Sequence, residues 1–177
     1  MREIHINNDN NYATPPDLYH VLDKEHKFDF DPCPFNHDLN LWNGLEIEWG
    51  MRNFVNPPYT LKLKTAFVKK GIEQMKKGKS SLFLVPVSTS TKLFKELIYP
   101  NAKTITFVSA RIKFGKLDED GRFYLPLKNG KVQSGTKDSM LVLFDGEFKN
   151  PNLSLMDNGS EYPIYPIFKM LNYKQKY

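Results

Sequence analysis

A single cysteine, Cys33, in 177 residues cannot form an internal disulfide and cannot alone build a zinc site, so nothing points to an oxidising compartment. Long apolar runs are missing too. The longest, Leu82 to Val87, has a proline inside it, whereas a membrane span needs about twenty residues. The first ten residues, MREIHINNDN, contain no apolar signal region. The expectation is a cytoplasmic chain with no membrane partner. Internal repeats and low-complexity tracts are also absent. What is present, 40% hydrophobic and 25% charged residues, is the composition of one globular domain with its own core, expected to span residues 1–177.

Charge is divided unevenly. Residues 1–50 carry three Lys/Arg against ten Asp/Glu, net −7, which leaves +12 for residues 51–177. A basic later segment is compatible with contact to nucleic acid, although lysine-rich solvated faces are common in other proteins.

The order of elements sets a fold class. Thr14-Pro15-Pro16-Asp17 reads as a helix start, with a threonine cap, proline in the first turn and an acid three residues after the cap. Phe28 to Asp31 alternates like a short strand and runs into the rigid loop Pro32-Cys33-Pro34, and Asn53-Phe54-Val55 forms a second strand. Leu63, Phe67, Val68, Ile72 and Met75 have helical spacing over 61–77, with Gly78 as terminator. Ser81 to Val87 reads as a strand buried on both faces, Thr91 to Tyr99 as a short helix, and Lys103 to Val108 and Ser139 to Asp145 as further strands. Alternating strands and helices predict an α/β fold with a mostly parallel sheet and helices on both faces. Glycines at 115, 121, 130 and 135, with the Asn129-Gly130 turn, predict a hairpin excursion over 115–137. The aromatic segment 151–177 is a C-terminal extension without an assigned place.

Asn56-Pro57-Pro58-Tyr59 stands at the carboxyl end of a predicted strand, where open α/β sheets bind ligands. This tetrapeptide resembles the catalytic motif of S-adenosylmethionine-dependent amino-group methyltransferases, in the form common to DNA adenine methyltransferases. The chemistry suits the residue types. The lone pair of the adenine amine is delocalised into the ring, so a site must accept its hydrogens in a geometry that turns the pair toward the methyl donor. The Asn56 side-chain carbonyl and the Pro57 backbone carbonyl supply two acceptors, Pro58 stiffens the loop, and Tyr59 stacks on an extruded base. Two other stretches, each of which has an ordinary reading as a capped helix or a strand with an edge acid, match the same family. Tyr12-Ala13-Thr14-Pro15-Pro16-Asp17-Leu18 is similar to its N-terminal Thr-Pro cofactor motif, and Phe28 to Pro34 takes the place of the first nucleotide-binding strand. Leu82 to Pro86 and Val108 to Gly115 continue the likeness, which covers about residues 10–146 and is nearest to the phage-type, Dam-like DNA N6-adenine methyltransferases.

The resemblance implies a Rossmann-like methyltransferase fold. It implies Tyr12, Thr14, Pro15, Asp31, Pro32 and Cys33 as contacts of S-adenosylmethionine, with Asp31 pairing the donor's ammonium, and no metal. It also implies double-stranded DNA with a flipped adenine as partner, and the cytoplasm of a bacterial host if the chain is phage-encoded, where methylation can serve restriction-modification. Three departures stand out. The family's glycine-rich loop is absent, Ala110 replaces the usual glycine before Arg111, and the stretch between Asp31 and Asn56 is too short for the additional strands and helices of the larger enzymes, so the acid for the donor's ribose must come from Asp38, Glu46 or Glu48. Residues 60–79 carry net +6 and residues 111–137 net +4. Lys62, Lys64, Arg111, Lys113, Arg122 and Lys128 are the candidate DNA contacts, with the hairpin as the candidate target reader. Other acceptors with the same motif type are cytosine N4, an RNA base or a protein glutamine, and the shortened cofactor region also allows a DNA-binding module without catalysis.

Overall fold

The computed structural model describes residues 12–35, 37, 41–109, 111–132, 137–146, 152–156 and 164–166. After α1 (Pro16–His26) the chain lays Phe30 beside Asn53 in a single parallel bridge. Next, β1 (Arg52–Val55) leads through the Asn56–Tyr59 loop into α2 (Leu61–Lys76). Then come β2 (Ser80–Pro86), a π-helical stretch (Leu93–Ile98) closed by one α-helical turn, α3 (Tyr99–Asn101), and β3 (Thr104–Val108). Two short ribbons follow, β4 (Lys116–Leu117) with β5 (Phe123–Tyr124) and β6 (Leu127–Lys128) with β7 (Lys131–Val132). The chain then forms β8 (Ser139–Phe144), β9 (Asn152–Met156) and β10 (Ile164–Pro166).

Six strands make one sheet in the order β1-β2-β8-β3-β9-β10. Leu82 to Pro86 are all buried because β2 has layers on both sides. Phe83 and Val85 meet Phe67, Val68, Ile72 and Met75 of α2, with Leu93 and Ile98 of the π-helical stretch in the same cluster. Leu82 and Leu84 face the other way, toward Leu18 and Leu22 of α1. The two-residue period of the strand and the helical stripe on α2 therefore deliver the expected helices on both faces. Gly78, with φ +83, turns the chain out of α2 in a conformation that a side chain disfavours.

Strand direction departs from expectation. β1 and β2 are parallel, as the helix between them allows, and β3 and β9 are parallel. The pairs β2–β8, β3–β8 and β9–β10 are antiparallel, so three of five pairings oppose the predicted mostly parallel sheet and the sheet is mixed. A parallel neighbour needs a crossover, usually a helix. Between β3 and β8 the described residues form only ribbons, so β8 returns antiparallel and inserts between β2 and β3.

The expected hairpin is two ribbons rather than one. At the tip of the second, Asn129 (φ 53) and Gly130 (φ 72) are both left-handed, as a tight hairpin turn demands. The C-terminal segment adds β9 and β10 beyond β3, with Pro166 on the outermost strand. Ala110, at a family glycine position, lies outside the described residues.

Candidate active site

The parallel pair β1–β2 brings two carboxyl ends to one edge, and Phe30, running parallel beside Asn53, brings Asp31, Pro32 and Cys33 to it as well. Asn56, Pro57 and Pro58 are buried there and Tyr59 is half-buried. The Asn56 amide nitrogen donates to the Tyr12 carbonyl at 2.9 Å and to the Thr14 hydroxyl at 3.2 Å. A backbone carbonyl accepts only, so the sense of the amide is set, with nitrogen toward Tyr12. Its other end, Oδ1, is buried and has no partner among the described residues. A buried acceptor left unpaired costs about 1–3 kcal/mol, which marks this atom as one awaiting a donor.

Thr14 does not act as the predicted helix cap. Pro15, buried, takes the cap position of α1, no side chain caps the helix, and the Thr14 hydroxyl is engaged with Asn56 instead. The segment is pinned from its far side: Ala13 and Gly115 exchange backbone hydrogen bonds of 2.9 and 3.1 Å. Tyr12 is 36% exposed at the rim.

Electrostatics single out Asp31. Burial pushes its carboxyl up to about 6 against the opposing effect of the Cys33 N–H, which donates to Asp31 Oδ1 at 2.8 Å. No cation pairs with it among the described residues. Burial and the Asp31 charge push the Cys33 thiol well up, so this cysteine is not a thiolate nucleophile. Pro32 is clasped by Gly44: a Cβ on Gly44 would lie 1.8 Å from the Pro32 carbonyl oxygen, a backbone atom with little room to move. The Gly44 carbonyl also accepts the Trp49 indole N–H at 2.7 Å. Gly44→Ala is expected to lower stability in thermal melts by about 1–3 kcal/mol, the ordinary cost of overpacking. An unchanged melting temperature would show that the Asp31–Cys33 loop is loosely held.

Tyr59 meets Phe114 edge to face, with ring centroids 6.0 Å apart. Its hydroxyl is buried without a partner among the described residues, and burial raises its pKa. Tyr59→Phe therefore removes an unpaired polar atom and is expected to leave thermal stability unchanged or up by about 1 kcal/mol. Tyr59→Ala is expected to cost about 3 kcal/mol through the lost ring. Equal losses in paired melts of the two variants would assign the hydroxyl a hydrogen bond.

The acids considered for a ribose separate by position. Glu48 is ion-paired with Lys79 at 2.6 Å and Lys77 at 3.3 Å, which hold its carboxyl down to about 2. Those lysines follow the C-terminus of α2, about 24 Å of helix from the Asn56–Tyr59 loop, so Glu48 is not at the site. Glu46 is exposed, and Asp38 lies outside the described residues. Of the candidate DNA contacts, Lys62, Lys113, Arg122 and Lys128 are exposed. Lys62 lies in the first turn of α2, just past Tyr59, and Arg122 and Lys128 lie on the ribbons. The exposed Arg111 is 3.6 Å from Asp138. Lys64 is instead only 7% exposed, and burial with the Lys137 charge lowers its pKa. Phe114 lies in the Val108–Gly115 segment that carries the family likeness, but the sequence assigned it no role beside Tyr59. No local pattern distinguishes Gly44.

Comparison with known families decides the class. The family model described as DNA N-6-adenine-methyltransferase (Dam) matches residues 3–161. The chain belongs to the Dam family. The Dam match spans the whole edge, from Tyr12 through Asn56–Tyr59 to Phe114, together with both ribbons. Membership gives the general activity as methylation of adenine N6 in DNA. No curated protein matches the chain. Among the described residues no group of three or more His, Cys, Asp or Glu could hold a metal ion, and no helix is long and apolar enough to cross a membrane.

Proposed function

We propose that this Dam-family chain transfers a methyl group from S-adenosylmethionine to the exocyclic amine of an adenine flipped out of double-stranded DNA, at the Asn56–Tyr59 edge. The observation that carries the reading is the buried Asn56 Oδ1, without a partner among the described residues, an acceptor presented at the carboxyl end of β1 by an amide whose nitrogen is already engaged. Asn56 Oδ1 and the Pro57 carbonyl accept the two amine hydrogens and draw the lone pair out of conjugation with the ring. The Tyr59 ring, braced by Phe114, stacks on the base. Stacking is worth about 1–3 kcal/mol, against an extrusion cost of a few kcal/mol.

The residues present fit the donor. Asp31 is a buried carboxyl with no cation paired to it among the described residues, which suits the donor's ammonium. Tyr12, Thr14, Pro15, Pro32 and Cys33 would contact its methionine end. When bound, the donor supplies an electrophilic methyl group on a sulfonium. Four strands of the sheet, β1, β2, β3 and β9, run in one direction, which supports a Rossmann-like core with β8 reversed inside it. Lys62, Arg111 and Lys113 would meet phosphates near the flipped nucleotide, and Arg122 and Lys128 on the ribbons would reach the flanking duplex. Lys64, buried in the first turn of α2, would add positive charge close to the Asn56–Tyr59 loop.

The test is incubation with labelled S-adenosylmethionine and unmethylated DNA, then nucleoside digestion and mass analysis. N6-methyldeoxyadenosine is expected. Label on cytosine N4 would correct the acceptor, and no labelled nucleoside despite a donor-induced rise in melting temperature would move the acceptor off DNA.

A further inference from the structure

We propose that Thr14 is a positioning residue for methyl transfer: its hydroxyl, with the Tyr12 carbonyl, clamps the Asn56 amide by its nitrogen and so holds Oδ1 toward the incoming amine. The inference rests on the reading above, because it supposes that Oδ1 accepts an amine hydrogen. A side-chain amide rotates about a soft, nearly two-fold torsion. The two senses present opposite groups to the substrate. With nitrogen outward, Asn56 would offer N–H to an amine that also has only N–H to give in that direction, and the site would repel its acceptor.

Two acceptors remove the ambiguity. The Tyr12 carbonyl at 2.9 Å and the Thr14 hydroxyl at 3.2 Å occupy both amide hydrogens, leaving Oδ1 as the end without a partner among the described residues. The hydroxyl is available because Thr14 does not cap α1: Pro15 stands at the cap position, and in the first turn the Leu18 N–H donates to Asp17 Oδ1 at 2.9 Å rather than to Thr14. The clamp is also anchored. Between its two arms, Ala13 pairs with Gly115 through both backbone hydrogen bonds, and a Cβ at Gly115 would come within 2.4 Å of the Phe123 ring and the Tyr124 carbonyl. The strap 12–14 is thus held between the catalytic amide and the start of the first ribbon, and its position sets the amide's.

The test compares Thr14→Val, which keeps the shape and loses the acceptor, with Thr14→Ser, which keeps the hydroxyl. Thr14→Val is expected to lower kcat about tenfold or more, the rate equivalent of one lost hydrogen bond, while any rise in KM for S-adenosylmethionine from its donor contact stays smaller than the fall in kcat. Thr14→Ser is expected to recover most of that loss. An activity-independent readout accompanies it: in spectra of the labelled protein, hydrogen exchange of the Asn56 side-chain NH2 should quicken in Thr14→Val and not in Thr14→Ser. A wild-type protein that makes no methyladenine defeats the underlying reading. An active wild type with kcat preserved in Thr14→Val overturns the positioning role, as do equal losses in both variants or a rise in KM alone. A Thr14→Val chain that fails to fold leaves Thr14→Ser and the NH2 exchange of the wild type to decide, since unprotected Asn56 hydrogens there would refute the clamp.

Discussion

Asn56→Ala is expected to lower the rate of adenine methylation by about a hundredfold or more, the scale seen when one preorganised hydrogen-bonding group is removed from a reaction centre. The loss falls on turnover because, in the proposed mechanism, Oδ1 acts where the amine nitrogen changes its bonding, whereas the proposed donor contacts lie at the neighbouring strand end. S-adenosylmethionine should therefore still raise the melting temperature of the variant by nearly the wild-type amount. Truncation also strands the Tyr12 carbonyl and the Thr14 hydroxyl, which now bind the amide. A loss of about 1 kcal/mol in stability follows, limited because water can refill a site at a sheet edge. Single-turnover rates with saturating donor check the prediction, and turnover within a factor of a few of wild type would remove Asn56 from the chemistry.

Asp31→Asn is expected to produce a more stable but poorer enzyme. Burial raises the Asp31 carboxyl from 3.8 to about 6 in the folded chain, so the folded state binds this proton more tightly than the unfolded one. Its contribution to stability is greatest below about pH 4, falls as pH rises between about 4 and 6, and stays lowered at neutral pH. The asparagine variant keeps an oxygen for the Cys33 N–H and has no charge to bury. It should gain about 2 kcal/mol at pH 7, a shift-sized quantity discounted for partial exposure. The advantage should shrink as pH is lowered toward 4. The same charge is what an ammonium would pair with, so donor affinity is expected to drop at least tenfold, about 1.4 kcal/mol. In the wild type, donor affinity should weaken as pH falls below about 6. Melts at pH 5 and 7.5, with and without S-adenosylmethionine, test both halves. A destabilised variant at pH 7 would mean that a cation already satisfies Asp31.

Local chemistry was legible in the residues themselves. The stripe Leu63, Phe67, Val68, Ile72, Met75 gave α2 and its buried face, because helical periodicity needs no distant partner to be read. The uninterrupted apolar run around Leu84 likewise announced a strand covered on both sides. Asn56-Pro57-Pro58-Tyr59 pointed to a family through residue type and order alone, and the family match bears out that family. Direction was not legible in the same way. An apolar strand such as Ser139–Phe144 reads alike in either orientation, and only the helix-free return from β3 turned it antiparallel between β2 and β3.

The amino-acid sequence by itself thus indicated α1, α2 and the strands β1, β2, β3 and β8, the buried faces of α2 and β2, and the residue types proposed to accept an adenine amine. Tertiary structure alone decided how those groups are held. Thr14 reads as a helix cap from its neighbours and becomes a clamp on Asn56, 42 positions away. Gly44 has no local signature until Pro32 is packed against it. Glu48 looked available for a ribose until the end of α2 supplied Lys77 and Lys79. In each case the deciding partner is remote in the chain. Hydrogen bonds, close contacts and ion pairs of that kind exist only after folding brings their two ends within a few ångströms, whereas propensity and periodicity act between residues that are neighbours from the start.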